Sequence, residues 1–240
     1  MKKSQFEHII ARAADGDPFA QVFYGYLLEN GMLGKADGDA AQSWYEKAAQ
    51  IGFAPAQYAL SILLDKKGEH EQALMWLKRG ADSEYPPALT MLGDWYLAQR
   101  PKSEGLRDAI AGYEKASTQG YLIATYKLAM LYWDDRYPEI KDVPKAMKLA
   151  KEAADLGFME ASELYGILAM DFGDSSEKDA AISYLKQAEA RGSFHAANRL
   201  SIIYEEGLCG EAKSPKKTRY YLRRMKKLAP LQKFELRPHY

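Results

Sequence analysis

At 240 residues, with 47% hydrophobic and 28% charged side chains, the chain has a composition ordinary for a soluble protein. It holds no uninterrupted run of eighteen apolar residues and one cysteine, Cys209, so neither a membrane-spanning helix nor an intrachain disulfide is expected. The Met-Lys-Lys start leads into no continuous apolar stretch, which argues against a cleaved signal peptide and places the protein in the cytoplasm.

Residues 3–14 read as a lone leading helix, apolar on Phe6, Ile9, Ile10 and Ala13, that caps the helices after it. Paired helices come next, at about 18–30 with 38–51, 54–66 with 69–82, and 86–99 with 104–118. The remaining pairs fall at about 122–134 with 143–156, 159–171 with 177–190, and 194–206 with 216–228. Prolines at 18, 55, 86, 101, 144 and 215 stand at or near helix starts, where a missing N–H costs nothing. The polar segments 30–39 and 134–142 absorb the variation in loop length. No stretch sustains the two-residue alternation of a strand. Beyond Pro230 the segment is too short for another pair and reads as a C-terminal tail, residues 230–240.

The stretch 41–56, AQSWYEKAAQIGFAPA, shows what the pairs share. Ala41, Ala73, Ala109, Ala146, Ala181 and Thr218 form one column; eleven residues on stand Gly52, Glu84, Gly120, Gly157, Gly192 and Ala229. With Gly16 at its head, the glycine column repeats at steps of 36, 32, 36, 37 and 35, so units start near 16, 52, 84, 120, 157 and 192. Four residues past each of those starts lies an alanine, from Ala20 to Ala196. Five residues past that alanine is a small residue each time: Gly25, Ser61, Gly93, Ala129, Gly166 and Ser201. That column marks where the two helices of a unit cross, and a leucine there is expected to cost about 1–3 kcal/mol by overpacking. Repetition at this period predicts an all-α stack of about six helix-turn-helix repeats, a single solenoid over 1–229.

The pattern resembles the Sel-one-like repeat (SLR), a relative of the tetratricopeptide repeat, as in Ala56-Gln57-Tyr58 and Trp44-Tyr45-Glu46-Lys47-Ala48-Ala49. The resemblance spans about residues 5–229. It implies a right-handed α/α superhelix with first helices lining a concave face, and work as an adaptor or binding scaffold; some bacterial members are immunity proteins that neutralise toxins. Secreted members carry a Cys pair in each unit, which this chain lacks.

No catalytic constellation stands out. His8, His70, His195 and His239 are scattered without metal-ligand spacing, no phosphate-cradling loop or G-x-S-x-G occurs, and neither enzyme activity nor a cofactor or metal is expected. If the family geometry holds, the concave face presents Phe19, Phe23, Tyr26, Tyr58, Ile62, Met91, Asp94, Tyr126, Met130, Trp133, Ile167 and Arg199. Val22 and Leu164 share those positions but are the first expected to sink into the core. Aromatics and methionine with acids near the helix ends suit a groove for a protein segment, a toxin or an assembly component.

The formal net charge is zero, yet residues 213–240 hold ten Lys/Arg against Glu235 alone, a balance of +9 that leaves −9 on residues 1–212. On the last helix, segment 213–227 gathers Lys216, Lys217, Arg219, Arg223, Arg224, Lys226 and Lys227. It reads either as a solubilising cap or as a contact for nucleic acid or an acidic partner, with nucleic acid ranked behind protein. Partner identity and oligomeric state are not legible.

Overall fold

The computed structural model describes residues 6–99 and 102–232, and side chains except those of Lys102 and residues 230–232. Among the described residues the secondary structure is helical throughout: an all-α helical-repeat fold. Contacts divide the chain into two compact units, Met1–Gln119 and Gly120–Tyr240.

The first unit runs α1 (Glu7–Ala14), α2 (Pro18–Glu29), α3 (Gly38–Gln50), α4 (Ala54–Lys66), α5 (His70–Asp82), α6 (Pro86–Gln99) and α7 (Lys102–Thr118). The second runs α8 (Leu122–Trp133), α9 (Val143–Asp155), α10 (Met159–Phe172), α11 (Ser175–Ala190), α12 (Phe194–Glu206) and α13 (Pro215–Gln232). Contacts are richest between the two helices of a pair, and α2 also meets α4 as α10 meets α12. First helices therefore lie side by side within each unit. Most boundaries fall within two residues of the sequence expectation, and two differ by more. Helix α1 starts at Glu7, and α13 extends to Gln232, two residues past Pro230. Residues 3–5 of the expected leading helix, and 233–240 of the tail, lie outside the described residues.

Aspartates begin many of these helices. Asp17 accepts from the Phe19 and Ala20 amides, and Asp37 and Asp142 each accept one amide at 2.9 Å. Asp174 and Glu177 exchange bonds in a capping box. These carboxylates take up the amides that a helix start leaves unsatisfied.

The glycine column is where one pair hands over to the next. Gly52 N–H donates to Ala49 at 3.1 Å and Phe53 N–H to Ala48 at 3.1 Å, the paired bonds of a Schellman motif. That motif needs a left-handed residue, and Gly52 (φ +85°), Gly157 (φ +89°) and Gly192 (φ +107°) supply it. Glu84 makes the same two bonds from φ +57°, a conformation its Cβ opposes. Glu84→Gly is therefore expected to raise stability by about 0.5–1 kcal/mol. The exposed ion pair with Lys115 at 2.9 Å that it sacrifices is worth little. A denaturation midpoint no higher than wild type would count against a strained turn.

The small column sits at the crossings. A Cβ added to Gly25 or Gly93 would lie 2.6 Å from a ring carbon of Tyr45 or Tyr113, and one at Gly166 would lie 2.7 Å from Leu185 Cγ. The serines of the column, Ser61 and Ser201, are buried, and each hydroxyl donates to its own helix at 2.7 Å, to the Tyr58 and Asn198 carbonyls. Successive pairs are also tied by amides that the sequence pattern does not single out: Nε2 of buried Gln21 and Gln57 donates at 3.3 Å to the Ala13 and Ala49 carbonyls.

Candidate functional site: an aromatic recess on the first helices

In the first unit, α2 turns three large apolar side chains to solvent: Phe19 (69% exposed), Phe23 (42%) and Tyr26 (45%). Leu27 and the small Ala20 and Gly25 occupy its buried side, so the helix is apolar nearly all round. The exposed ridge borders a recess of about 400 Å³ lined also by Val22, Tyr45, Phe53, Pro55, Ala59 and Tyr85. Phe19 meets Phe53 edge-on with centroids 4.6 Å apart, Phe23 stacks on Tyr26 at 6.5 Å, and Phe6 approaches Phe23 at 6.4 Å. Tyr58 packs against Tyr85 at 5.8 Å. Edge and stacked contacts at these separations hold the rings in place without burying them.

Three expected groove residues, Phe19, Phe23 and Tyr26, thus come together around one cavity. Tyr58, Ile62 and Met91 are half-buried on α4 and α6. Asp94 serves the packing instead, accepting the Tyr113 hydroxyl at 2.5 Å. Glu29 plays the same part for Tyr45 at 3.0 Å and also receives Lys66 at 2.8 Å. Phe53 and Tyr85 escape a reading by helical phase because they precede the first helices, in the position just after the turn. The aromatics recurring there, Phe53, Tyr85, Tyr121 and Phe158, are the signal that could have found them.

The second unit presents a more polar first-helix face. Met130 is exposed, Trp133 is half-buried, and Ile167 packs on the core of the last two pairs. Tyr126 leans on Phe158 at 5.5 Å; burial, with Glu163 and Glu160 nearby, pushes its hydroxyl up to about 12 and keeps it neutral. Glu163 accepts from the Ser193 hydroxyl, which in turn caps α12 through the Ala196 amide at 2.9 Å. Arg199 is paired with Asp171 at 3.3 Å. Val22 packs against core residues and Leu164 is buried.

Among the described residues no three His, Cys, Asp or Glu side chains gather as a metal ion would require. Burial pushes the Cys209 thiol up, away from thiolate reactivity. No described helix is long and apolar enough to cross a membrane.

The Sel1 repeat pattern matches residues 18–53, 54–85, 122–158 and 194–229, more than half of the chain. The chain belongs to the Sel1 repeat family. The matched segments start and end within a few residues of the left-handed turns between pairs, except the last, which ends at residue 229 inside α13. A putative sel1-like repeat-containing protein of Acanthamoeba polyphaga mimivirus is 29% identical over 126 residues, 52% of this chain and 23% of that one. The chain thus spans less than a quarter of that relative's length. Among solved structures, a Sel1 repeat protein from Oxalobacter formigenes superposes with a TM-score of 0.75 at 24% identity, covering 89% of both chains. The immunity protein PA5088 from Pseudomonas aeruginosa superposes at 0.58 with 20% identity, covering 89% of this chain and 82% of its own. Sel1 repeat proteins are protein-interaction scaffolds and typically non-enzymatic.

Proposed function

We propose that this Sel1 repeat chain holds a partner protein by an amphipathic segment seated in the aromatic recess of the first unit. The observation that carries this is the trio Phe19, Phe23 and Tyr26, exposed along one helix beside a cavity of about 400 Å³. Leaving three large apolar groups in water is unfavourable, and such patches mark interaction surfaces. Aromatic anchors in a preformed pocket carry most of the energy of such contacts. The work is adaptor-like and non-enzymatic. Toxin neutralisation is the more specific form of it, favoured by the resemblance in fold to a Pseudomonas immunity protein. The lone Cys209 suits a cytoplasmic setting.

The test is selection of displayed peptides on the folded chain, followed by affinity measurement against Phe23→Ala/Tyr26→Ala. Enriched peptides should carry large apolar residues at helical spacing, and the variant should weaken them by at least about 2 kcal/mol, roughly thirtyfold in Kd. Selected peptides that bind the variant as well as the parent would remove the recess as the site. For the immunity form, co-expression with a toxin encoded beside the gene should restore growth, and the variant should not.

A further inference from the structure

We propose that α13 carries a second docking surface, shaped for a short acidic segment of a protein partner. Helix α13 has two faces. Thr218, Tyr221 and Leu228 are buried, and with Met225 they follow steps of three and four residues that define its packing side. Two of its cations belong to that packing: Arg224 reaches the nearly buried Glu189 on α11, and Lys217 binds Glu211 at 3.0 Å while lying over the Tyr204 ring. The opposite face presents Lys216, Arg219, Tyr220, Arg223 and Lys227, all exposed. The four cations enter no ion pair among the described residues.

Three features set this face apart from a merely solubilising end. The helix opens with cations and has no acid in its first turn, the reverse of what its dipole favours, so the charge is kept at some cost to the helix. Tyr220 lies amid the cations with 54% of its surface exposed, and Leu222 is exposed beside them. Solubility alone calls for charge and gives no reason to expose an aromatic ring. Finally, charge complementarity limits the size of the occupant. Residues 1–212 carry −9, and the chain as a whole exerts no long-range pull on a polyanion. From Lys216 to Lys227 the face is about 16 Å long at 1.5 Å per residue. A duplex or a lipid surface outreaches a face of this length. A short acidic segment fits it, with one apolar side chain for Tyr220.

The probe is a fluorescein-labelled peptide of Glu-Glu-Leu-Ala repeats, about twelve residues long to match the face, titrated by anisotropy into the full chain. Oligothymidylate and phosphatidylglycerol vesicles are run beside it. The peptide should bind at low ionic strength and weaken at about 0.15 M salt, where the Debye length is about 8 Å. Arg219→Glu/Arg223→Glu should lose at least about tenfold in affinity with an unchanged helical spectrum, and Arg219→Lys/Arg223→Lys should retain most of it. If the reversal variant fails to fold, Lys216→Gln/Lys227→Gln takes its place. The proposal is overturned by absence of peptide binding at low ionic strength or by equal binding to a folded variant. Tighter binding of oligothymidylate or vesicles than of the peptide would overturn it too.

Discussion

Replacing Gly93 by leucine is expected to destabilise the first unit by about 3 kcal/mol or more, the upper end of what overpacking costs. The reason is local. Even the first carbon of the new side chain would stand 2.6 Å from Tyr113 Cε1, closer than non-bonded carbons approach. Tyr113 has nowhere to go, because its ring is 1% exposed and its hydroxyl is committed to Asp94. Moving it would open a void and strand a buried hydroxyl together. For a unit of this size the melting temperature should fall by roughly 10 °C or more, at about 4 °C per kcal/mol. Gly93→Ala should show a smaller loss of the same origin. Its combination with Tyr113→Ala, which recreates the Ala129 and Ala150 pairing of the fourth repeat, should recover about 1 kcal/mol relative to additivity. A Gly93→Leu protein as stable as wild type, or strict additivity in the cycle, would show that the tight crossing does not constrain the residue there.

Arg224→Leu should cost about 2–3 kcal/mol and act on α13 first. Its guanidinium meets the Glu189 carboxylate and also donates to the Glu189 carbonyl at 3.4 Å. Glu189 is 6% exposed, so losing the arginine leaves a charge with little water to replace it. A fully buried pair broken in this way costs about 3–5 kcal/mol; here the arginine side chain keeps a third of its surface in water, which lowers the expectation. Removing both charges with Arg224→Leu/Glu189→Leu should restore most of the loss, since apolar replacement of a buried pair is often neutral. Hydrogen exchange is the readout: α13 amides should exchange faster in the single variant and near wild-type rates in the double one. Unchanged α13 protection in the single variant would mean that Tyr221 and Leu228 hold the helix without the ion pair.

The helices and their turns are legible in the sequence because each depends on residues close along the chain. Periodic small residues and a glycine at fixed phase suffice to define a unit, and even Glu84, which interrupts the glycine column, keeps the conformation the column demands. Less legible are the features that depend on distant partners. Asp94 and Arg199 look like groove residues by position, yet one accepts the hydroxyl of Tyr113 from the neighbouring helix and the other pairs with Asp171. The basic character of α13 is plain, but Glu189 lies thirty-five residues before Arg224, and nothing local shows that one cation is structural while Arg223 beside it is exposed. In the recess, Phe19, Phe23 and Tyr26 emerge from helical phase, whereas Phe53 and Tyr85 precede their helices and fall outside any phase argument.

The fit of bulk to bareness at each crossing has a consequence for how such a chain can grow or shrink. Tyr45 belongs opposite Gly25, Tyr113 opposite Gly93 and Leu185 opposite Gly166, whereas the fourth repeat has the buried Ala129 at that position. A gene rearrangement that joins α8 to α7 as partners sets a tyrosine against a methyl group, and one that joins α2 to α9 leaves a hollow. Breakpoints at the turns between pairs, at Gly52, Glu84, Gly120, Gly157 and Gly192, keep every matched couple intact. Lineages should therefore acquire and discard whole cassettes bounded by those turns, with half-cassette exchanges purged as misfolding products.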